Sequence, residues 1–349
     1  MSVAVRSPLR AGVEGLTPGY FALVMASGIL SVGMALRGHA ALSTVLLAVC
    51  VVAFVVLAVL TAWRFVSFRR ATVEDFVDPR RGFGFFTFVA GTNVLGVRLG
   101  LDGHYVATGV LLACAGSAWL VLGYVVPWTA VLGRAERPVV AAANGTWFIW
   151  TVATQSVATA AATLEPHVTS GRSALALLAV VAWSVGAFLY AATGVVVTLR
   201  LMLYAFGPEE LEPPYWVAMG ALAITVLAGA RIVEMADAPM VAATRGLIAG
   251  LSVVCWAFAT WLIPVLVAAG WWRHVTRRIP LRYDPTLWSM VFPLGMYAAG
   301  GIYLGQADSL PLVTDIAAVE LWVAFGAGTL VFAAMLGHLC RVAVRTPHP

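Results

Sequence analysis

Charged residues are few in this chain. Asp, Glu, Lys and Arg make up 11% of 349 residues, and lysine is absent, so all 21 basic residues are arginine. A soluble domain carries about 25% charged residues. With 61% hydrophobic residues, too little polar surface is left to coat a water-soluble fold of this size. The same composition excludes a disordered chain. Cysteine is also sparse: four residues with no CxxC pair exclude a disulfide scaffold. The six histidines are scattered over loops and the ends of apolar runs. A metal or nucleophilic site needs clustered His, Cys, Asp or Glu, so we expect no enzyme, no metal centre and no cofactor. No Walker-type glycine loop is present, and no loop longer than about 20 residues leaves room for a nucleotide-binding domain, which excludes ATP-driven transport on this chain. The missing lysine, beside heavy use of Ala, Val, Leu and Gly, reads as coding bias. The basic excess implies no nucleic-acid partner, because in a membrane protein it gathers in cytoplasmic loops.

Long apolar runs are what the chain does have. A membrane helix needs about 20 mostly apolar residues. Ten stretches qualify: 18–36, 41–66, 83–100, 105–133, 145–164, 173–204, 214–233, 245–272, 286–305 and 317–340. Their length favours helices, since membrane strands are about 10 residues long and alternate. Ten crossings put both termini on one side. That side then holds sixteen arginines, and the other holds five: Arg37, Arg98, Arg172, Arg231 and Arg245. The positive-inside rule makes the arginine-rich side cytoplasmic. The expected layout is a cytoplasmic segment 1–17, a membrane domain 18–340 and a cytoplasmic tail 341–349, in the plasma membrane. No signal-peptide pattern precedes Pro18, so none is expected to be cleaved.

The ten runs fall into two kinds. The second, fourth, sixth, eighth and tenth are long and nearly featureless, and they carry all four cysteines. The other five are shorter, broken by glycine and spotted with small polar residues. Each of these five opens with Pro or Gly and then an aromatic marker: Phe21, Phe86, Phe148, Trp216 and Trp288, spaced 65, 62, 68 and 72 residues apart. This is a five-fold repeat of a helical hairpin, and repeats of one topology are related by an axis along the membrane normal. Featureless helices can face lipid, whereas small-residue, polar-spotted ones face protein or water. We therefore expect an inner ring of five odd-numbered helices inside five even-numbered ones, with a path along the ring axis. Close helix packing alone is the competing explanation for the small residues.

The segments PGYFALVMASGI, FFTFVAGTNVLG, PPYWVAMGALAI and above all LWSMVFPLGMY resemble the tellurite-resistance/C4-dicarboxylate transporter family. Plant slow anion channels, yeast malate transporters and fungal sulfite pumps share that superfamily. The resemblance covers about residues 18–340. It implies ten helices in five hairpins around a central pore, a homotrimer with one pore per subunit, and a pore occluded by the phenylalanine of the last motif, here Phe292. Its partners would be the bilayer and small inorganic or organic anions. The family's members differ in substrate, so a passive anion conduit and a carrier for C4-dicarboxylates or an oxyanion such as sulfite or tellurite both stay open.

Alignment on the five markers gives layers. Four residues on lie Met25, Ala90, Val152, Gly220 and Phe292, one large ring among slimmer neighbours. An apolar constriction of this kind gates by dewetting; the bland alternative is that Phe292 packs between helices. Seven residues on lie Gly28, Asn93, Gln155, Ala223 and Gly295, beside Thr92, Thr154 and Ser156. These amides and hydroxyls could serve a dehydrated anion or bond between helices. Arg98 and Arg231 end their runs, placed to attract anions at an external mouth or to snorkel and pair, Arg231 with Glu234. No Asp, Glu or His lies in the middle of an odd-numbered run, which favours a conduit over proton coupling.

Overall fold

A computed structural model of the protein describes residues 8–133, 137–236 and 238–345. Two of the sixteen arginines counted above, Arg6 and Arg134, lie outside them, as do residues 1–7 and 346–349 of the two terminal segments. Among the described residues the fold is all helical. The helices are α1 Pro8–Glu14, α2 Ala22–Leu36, α3 Ala40–Ser67, α4 Arg69–Val77, α5 Phe86–Leu101 and α6 Tyr105–Val126, then α7 Phe148–Leu164, α8 Arg172–Leu203, α9 Val217–Val233, α10 Pro239–Trp271, α11 Trp288–Ala307 and α12 Pro311–Arg345. Ten are long; α1 and α4 are short connectors on the N-terminal side.

Nine of the ten long helices are apolar and long enough to cross a membrane. The exception is α7, whose Thr151, Thr154, Gln155, Ser156, Thr159 and Thr163 lower its hydropathy; all six are buried. A polar helix shielded by apolar neighbours does not have to satisfy the bilayer itself. Two boundaries differ from the expectation. Helices α10 and α12 each begin six residues earlier than their apolar runs, because Arg245 and Asp315 interrupt the hydropathy but not the backbone hydrogen bonding.

Burial separates the two kinds of helix. In the most apolar stretches of α2, α5, α9 and α11, 72–89% of residues are buried, against 11–33% in α3, α6, α8, α10 and α12, so the featureless helices are the outer ones. Each inner helix packs against the outer helix that follows it. The inner helices also pack against one another, α2 on α5, α5 on α7, α7 on α9, α9 on α11, and α11 back on α2.

Every inner helix is entered through a short 3-10 turn: Pro18–Phe21, Gly82–Phe85, Gly145–Trp147, Pro213–Trp216 and Pro285–Leu287. Proline suits such a start, since its ring presets φ and its missing N–H lies where a helix has no partner to offer. The five aromatic markers all fall at the junction of turn and helix. Glycine replaces proline where turns meet: a Cβ on Gly145 would strike the Pro214 carbonyl and the Tyr215 nitrogen. The turns therefore lock together backbone to backbone.

Candidate functional site

The five entry turns enclose a cavity of about 320 Å³. Its walls include Thr17–Gly19 before α2, Gly84 before α5, Asn144 and Thr146 before α7, Pro214 and Tyr215 before α9, and Pro285 and Thr286 before α11. All five inner helices thus start at one chamber and run the same way. Asn144 and Asp284 cap two of the turns, accepting from the backbone N–H of Thr146 and of Thr286. Charge is concentrated here. Asp78, Arg80, Arg81, Arg200, Glu210 and Glu212 all line the chamber. Arg81 pairs with Asp75 at 2.9 Å, and Asp75 also binds Arg64 at 2.7 Å. Arg200 pairs with Glu210 at 2.8 Å. Burial pushes the Glu212 carboxyl above the usual range, outweighing the pull of Arg273 and Arg80.

Deeper in the molecule a second, small void of about 10 Å³ is again lined by all five inner helices: Ile29 and Val32, Asn93, Val94 and Val97, Ser156 and Thr159, Ile224 and Leu227, and Met296. Three of these residues are polar, Asn93, Ser156 and Thr159, but the surface that lines the void is apolar. Asn93 Nδ2 donates to Ser156 Oγ at 2.9 Å, while Asn93 Oδ1 has no partner among the described residues.

On α11, Phe292 falls in register between residues that line the two chambers. Ser289 lines the first and Met296 the second. Residues three, four and seven apart share a helix face, so Phe292 sits on that face, one turn from each. Its neighbours turn aside: Pro293 packs on Gly220 of α9, Gly295 on Ile29 and Leu30 of α2. Phe292 is fully buried, and so are Met25, Ala90, Val152 and Gly220. On α7, Val152 likewise lies between Ile149 of the first chamber and Ser156 of the second. Met25, Ala90 and Gly220 precede Ile29, Asn93 and Ile224 of the second chamber by three or four residues.

The expected deeper layer needs correction. Asn93 lines the second void, but Gln155 does not: its amide nitrogen, Nε2, donates to the Trp183 carbonyl of α8 at 3.1 Å. Gly28 faces Val94 and Cys50, Gly295 faces α2, and the Ala223 carbonyl abuts Gly300 of α11. Thr154 accepts from Trp119 Nε1 of α6, and the Thr92 hydroxyl donates to the Phe88 carbonyl of its own helix. The reason is helical geometry. At 3.6 residues per turn, a step of three from the Phe292 layer turns back by about 60°, whereas a step of four advances only about 40°. Eight residues past the marker come Ile29, Ser156, Ile224 and Met296, which do line the void.

The two terminal arginines part company. Arg98 is not an open charge at a mouth. It is 4% exposed, pairs with Asp102 at 2.8 Å, and donates from Nε to Ser31 at 2.8 Å and from Nη2 to Ser43 at 2.9 Å. It ties α5 to α2 and α3. Arg231 lies one turn beyond Leu227 of the second void, binds Glu234 at 2.8 Å and rests over the Tyr303 ring at 5.3 Å. Nor is Glu165 open to water: it is 3% exposed and held by Arg172 at 2.9 Å. Sequence reading missed the chamber's Arg80, Glu212 and Ser289. The available signal was charge immediately before the Pro/Gly entries, in DPRRG and EELEPP.

Among the described residues, no group of three or more His, Cys, Asp or Glu could hold a metal. Ten long helices, nine apolar enough to span a bilayer, make this a multi-pass membrane protein. Residues 15–341 match the family model described as voltage-dependent anion channel, and the chain belongs to that family, one of transport proteins rather than enzymes. An uncharacterized membrane protein of Mycobacterium tuberculosis is 60% identical over 159 residues, 46% of this chain and 81% of that one. Two uncharacterized transporters of Methanocaldococcus jannaschii are 24% and 23% identical, each over 90% of this chain and 90–92% of their own.

Proposed function

We propose that the protein conducts small anions passively along an axis enclosed by a ring of α2, α5, α7, α9 and α11, and that Phe292 occludes this path. The observation that carries the reading is the position of Phe292 on the one face of α11 that joins the two chambers. Met25, Ala90, Val152 and Gly220 are the slimmer walls around it. Asn93, Ser156 and Thr159 border the path beyond the constriction, the two hydroxyls bonded to carbonyls of α7. Pro293 removes one backbone hydrogen bond next to the gate, which lets α11 bend there. No Asp, Glu or His is among the residues around the second void, and arginine keeps its charge at any working pH, so conduction needs no proton. The entry chamber is the cytoplasmic end, the termini are cytoplasmic, and the assembly is a homotrimer with one path per chain.

The test is reversal potential in proteoliposomes under opposed anion and proton gradients, with chloride, nitrate and malate salts. Potentials that follow the anion gradient alone are expected. A shift with the proton gradient, or transport that requires it, replaces the conduit with a coupled carrier.

A further inference from the structure

Six charged side chains line the entry chamber, but they are not equivalent. Arg81 and Arg200 are ion-paired, and Glu210 is Arg200's partner. The Asp78 carboxylate accepts from the backbone N–H of Arg80 at 2.9 Å. Arg80 and Glu212 remain, and among the described residues neither side chain has a hydrogen-bond or ion-pair partner, although each feels the other's charge. The backbone under Arg80 is fixed. Its carbonyl accepts from Thr146 Oγ1 at 3.3 Å, and the Pro79 carbonyl accepts from Trp147 Nε1 at 2.8 Å. At the floor of the chamber Ser289 is 6% exposed. Its hydroxyl has no hydrogen-bond partner among the described residues and borders the cavity. The hydroxyls of Thr146 and Thr286 differ, being bound to Asn144 and Asp284.

A cavity with a guanidinium free of partners among the described residues, carried on a fixed backbone at one wall, and an idle hydroxyl at its floor has the donor set for a multi-atom anion. Guanidinium presents paired N–H groups that match a carboxylate or oxyanion. Five helix N-termini around the chamber add their positive ends. About 320 Å³ leaves room for such an anion together with part of its water. We propose that the entry chamber is a binding site for a small carboxylate or oxyanion, gripped by Arg80 and Ser289, with the Glu212 carboxylate as a built-in competitor for Arg80. The inference rests on the conduction reading only for where the bound anion goes next: Ser289 is one turn before Phe292.

Competition makes occupancy depend on pH. Glu212 faces Arg80 from the segment before α5, Arg273 from the end of α10 and Asp284 from the segment before α11. Glu210 stands on its own loop, with Arg200 of α8 behind it. Burial together with Asp284 and Glu210 raises the Glu212 carboxyl's proton affinity more than the two arginines lower it. Acidifying this side neutralises the competitor first, while Arg80 stays charged. Anion affinity therefore rises as this side is acidified through the raised range in which Glu212 takes up its proton.

The experiment is a titration of the full-length protein in nanodiscs with sodium nitrate and with disodium succinate, at constant ionic strength in sodium chloride, read by calorimetry. The same variants are assayed for current in liposomes. Arg80→Gln should weaken binding at least about tenfold, the loss of one charge-assisted hydrogen bond. Glu212→Gln should tighten binding at pH 7.5 and flatten its pH dependence, and Ser289→Ala should weaken binding several-fold. Arg70→Gln, on the exposed face of α4, serves as the control and should bind as the parent does. Unchanged affinity in Arg80→Gln, or weaker binding in Glu212→Gln, overturns the site. Arg80→Lys guards against a folding artefact: it should bind between Arg80→Gln and the parent. Binding that follows these variants with no current in any of them upholds the site and removes the conduction reading. Current with binding unaltered by them overturns the site and leaves conduction intact.

Discussion

The two ends of the five inner helices are built on different principles. At the N-terminal end, 3-10 turns meet backbone to backbone around an open chamber, and two charges, Arg80 and Glu212, face it without side-chain partners among the described residues. At the opposite end the two arginines that close the inner helices are bound to neighbouring side chains. Arg98 is stitched to Asp102, Ser31 and Ser43, and Arg231 leans on Glu234 and Tyr303. The contrast teaches that an arginine at the end of a membrane helix is not by itself a beacon for anions. What decides is whether neighbouring helices supply it with acceptors. Arg98 finds three side chains to bind; Arg80 sits on a segment whose local carboxylate, Asp78, is turned to the backbone.

The largest effect should come from removing what separates the two ends. Phe292→Ala is expected to raise anion conductance more than tenfold in planar bilayers. It also deletes a fully buried ring, which costs about 3–5 kcal/mol in a packed core, so melting of the variant is measured beside its current. Phe292→Leu should fall between the two. A folded Phe292→Ala protein with parental current breaks the assignment of the gate.

Arg98→Gln comes next, and it should act on stability. It removes the ion pair of Asp102 and the guanidinium that donates to Ser31 and Ser43, which still bond each other. The expected loss is about 1–3 kcal/mol, less than for a fully buried pair because Asp102 is half exposed. Thermal or denaturant unfolding in detergent checks this, and the current per folded protein should change equally at all salt concentrations. A loss of current confined to low salt would return Arg98 to the role of an open mouth charge.

The smallest effect belongs to Arg231→Gln. Arg231 already has Glu234 beside it, so only a partial charge is exported. Current should fall by less than about threefold at 0.01 M salt, where the screening length is about 30 Å, and by little at 0.15 M, where it is about 8 Å. A loss as large as that of Phe292→Ala is a gain would place Arg231 in direct contact with the ion.

Much of this fold was legible in the sequence because it is written in local chemistry. Hydropathy over a window marks a membrane helix, and Pro or Gly followed by an aromatic marks each entry turn; both signals need only neighbours in the chain. The division into plain outer and spotted inner helices follows, since lipid accepts only the former. The Phe292 layer rests on the same local register, because four residues past a shared marker keeps nearly the same face on every helix.

The rotation of each helix about its own axis was not. Whether Gln155 or Ser156 meets Asn93 depends on about 100° of turn per residue. Only packing sets it, here through α8, whose Trp183 carbonyl draws the Gln155 amide outward. Arg98 binds residues 55 and 67 positions earlier, and the chamber gathers Arg80, Glu212 and Ser289 from three repeats. The sequence by itself determined how many long helices there are, which ones are plain and which are spotted with polar residues, and where each inner helix starts, because those depend on composition and on neighbours along the chain. Only the tertiary structure decided which polar side chains face one another and which charges are left without a partner, because those pairings join distant segments whose proximity exists only once the helices have packed.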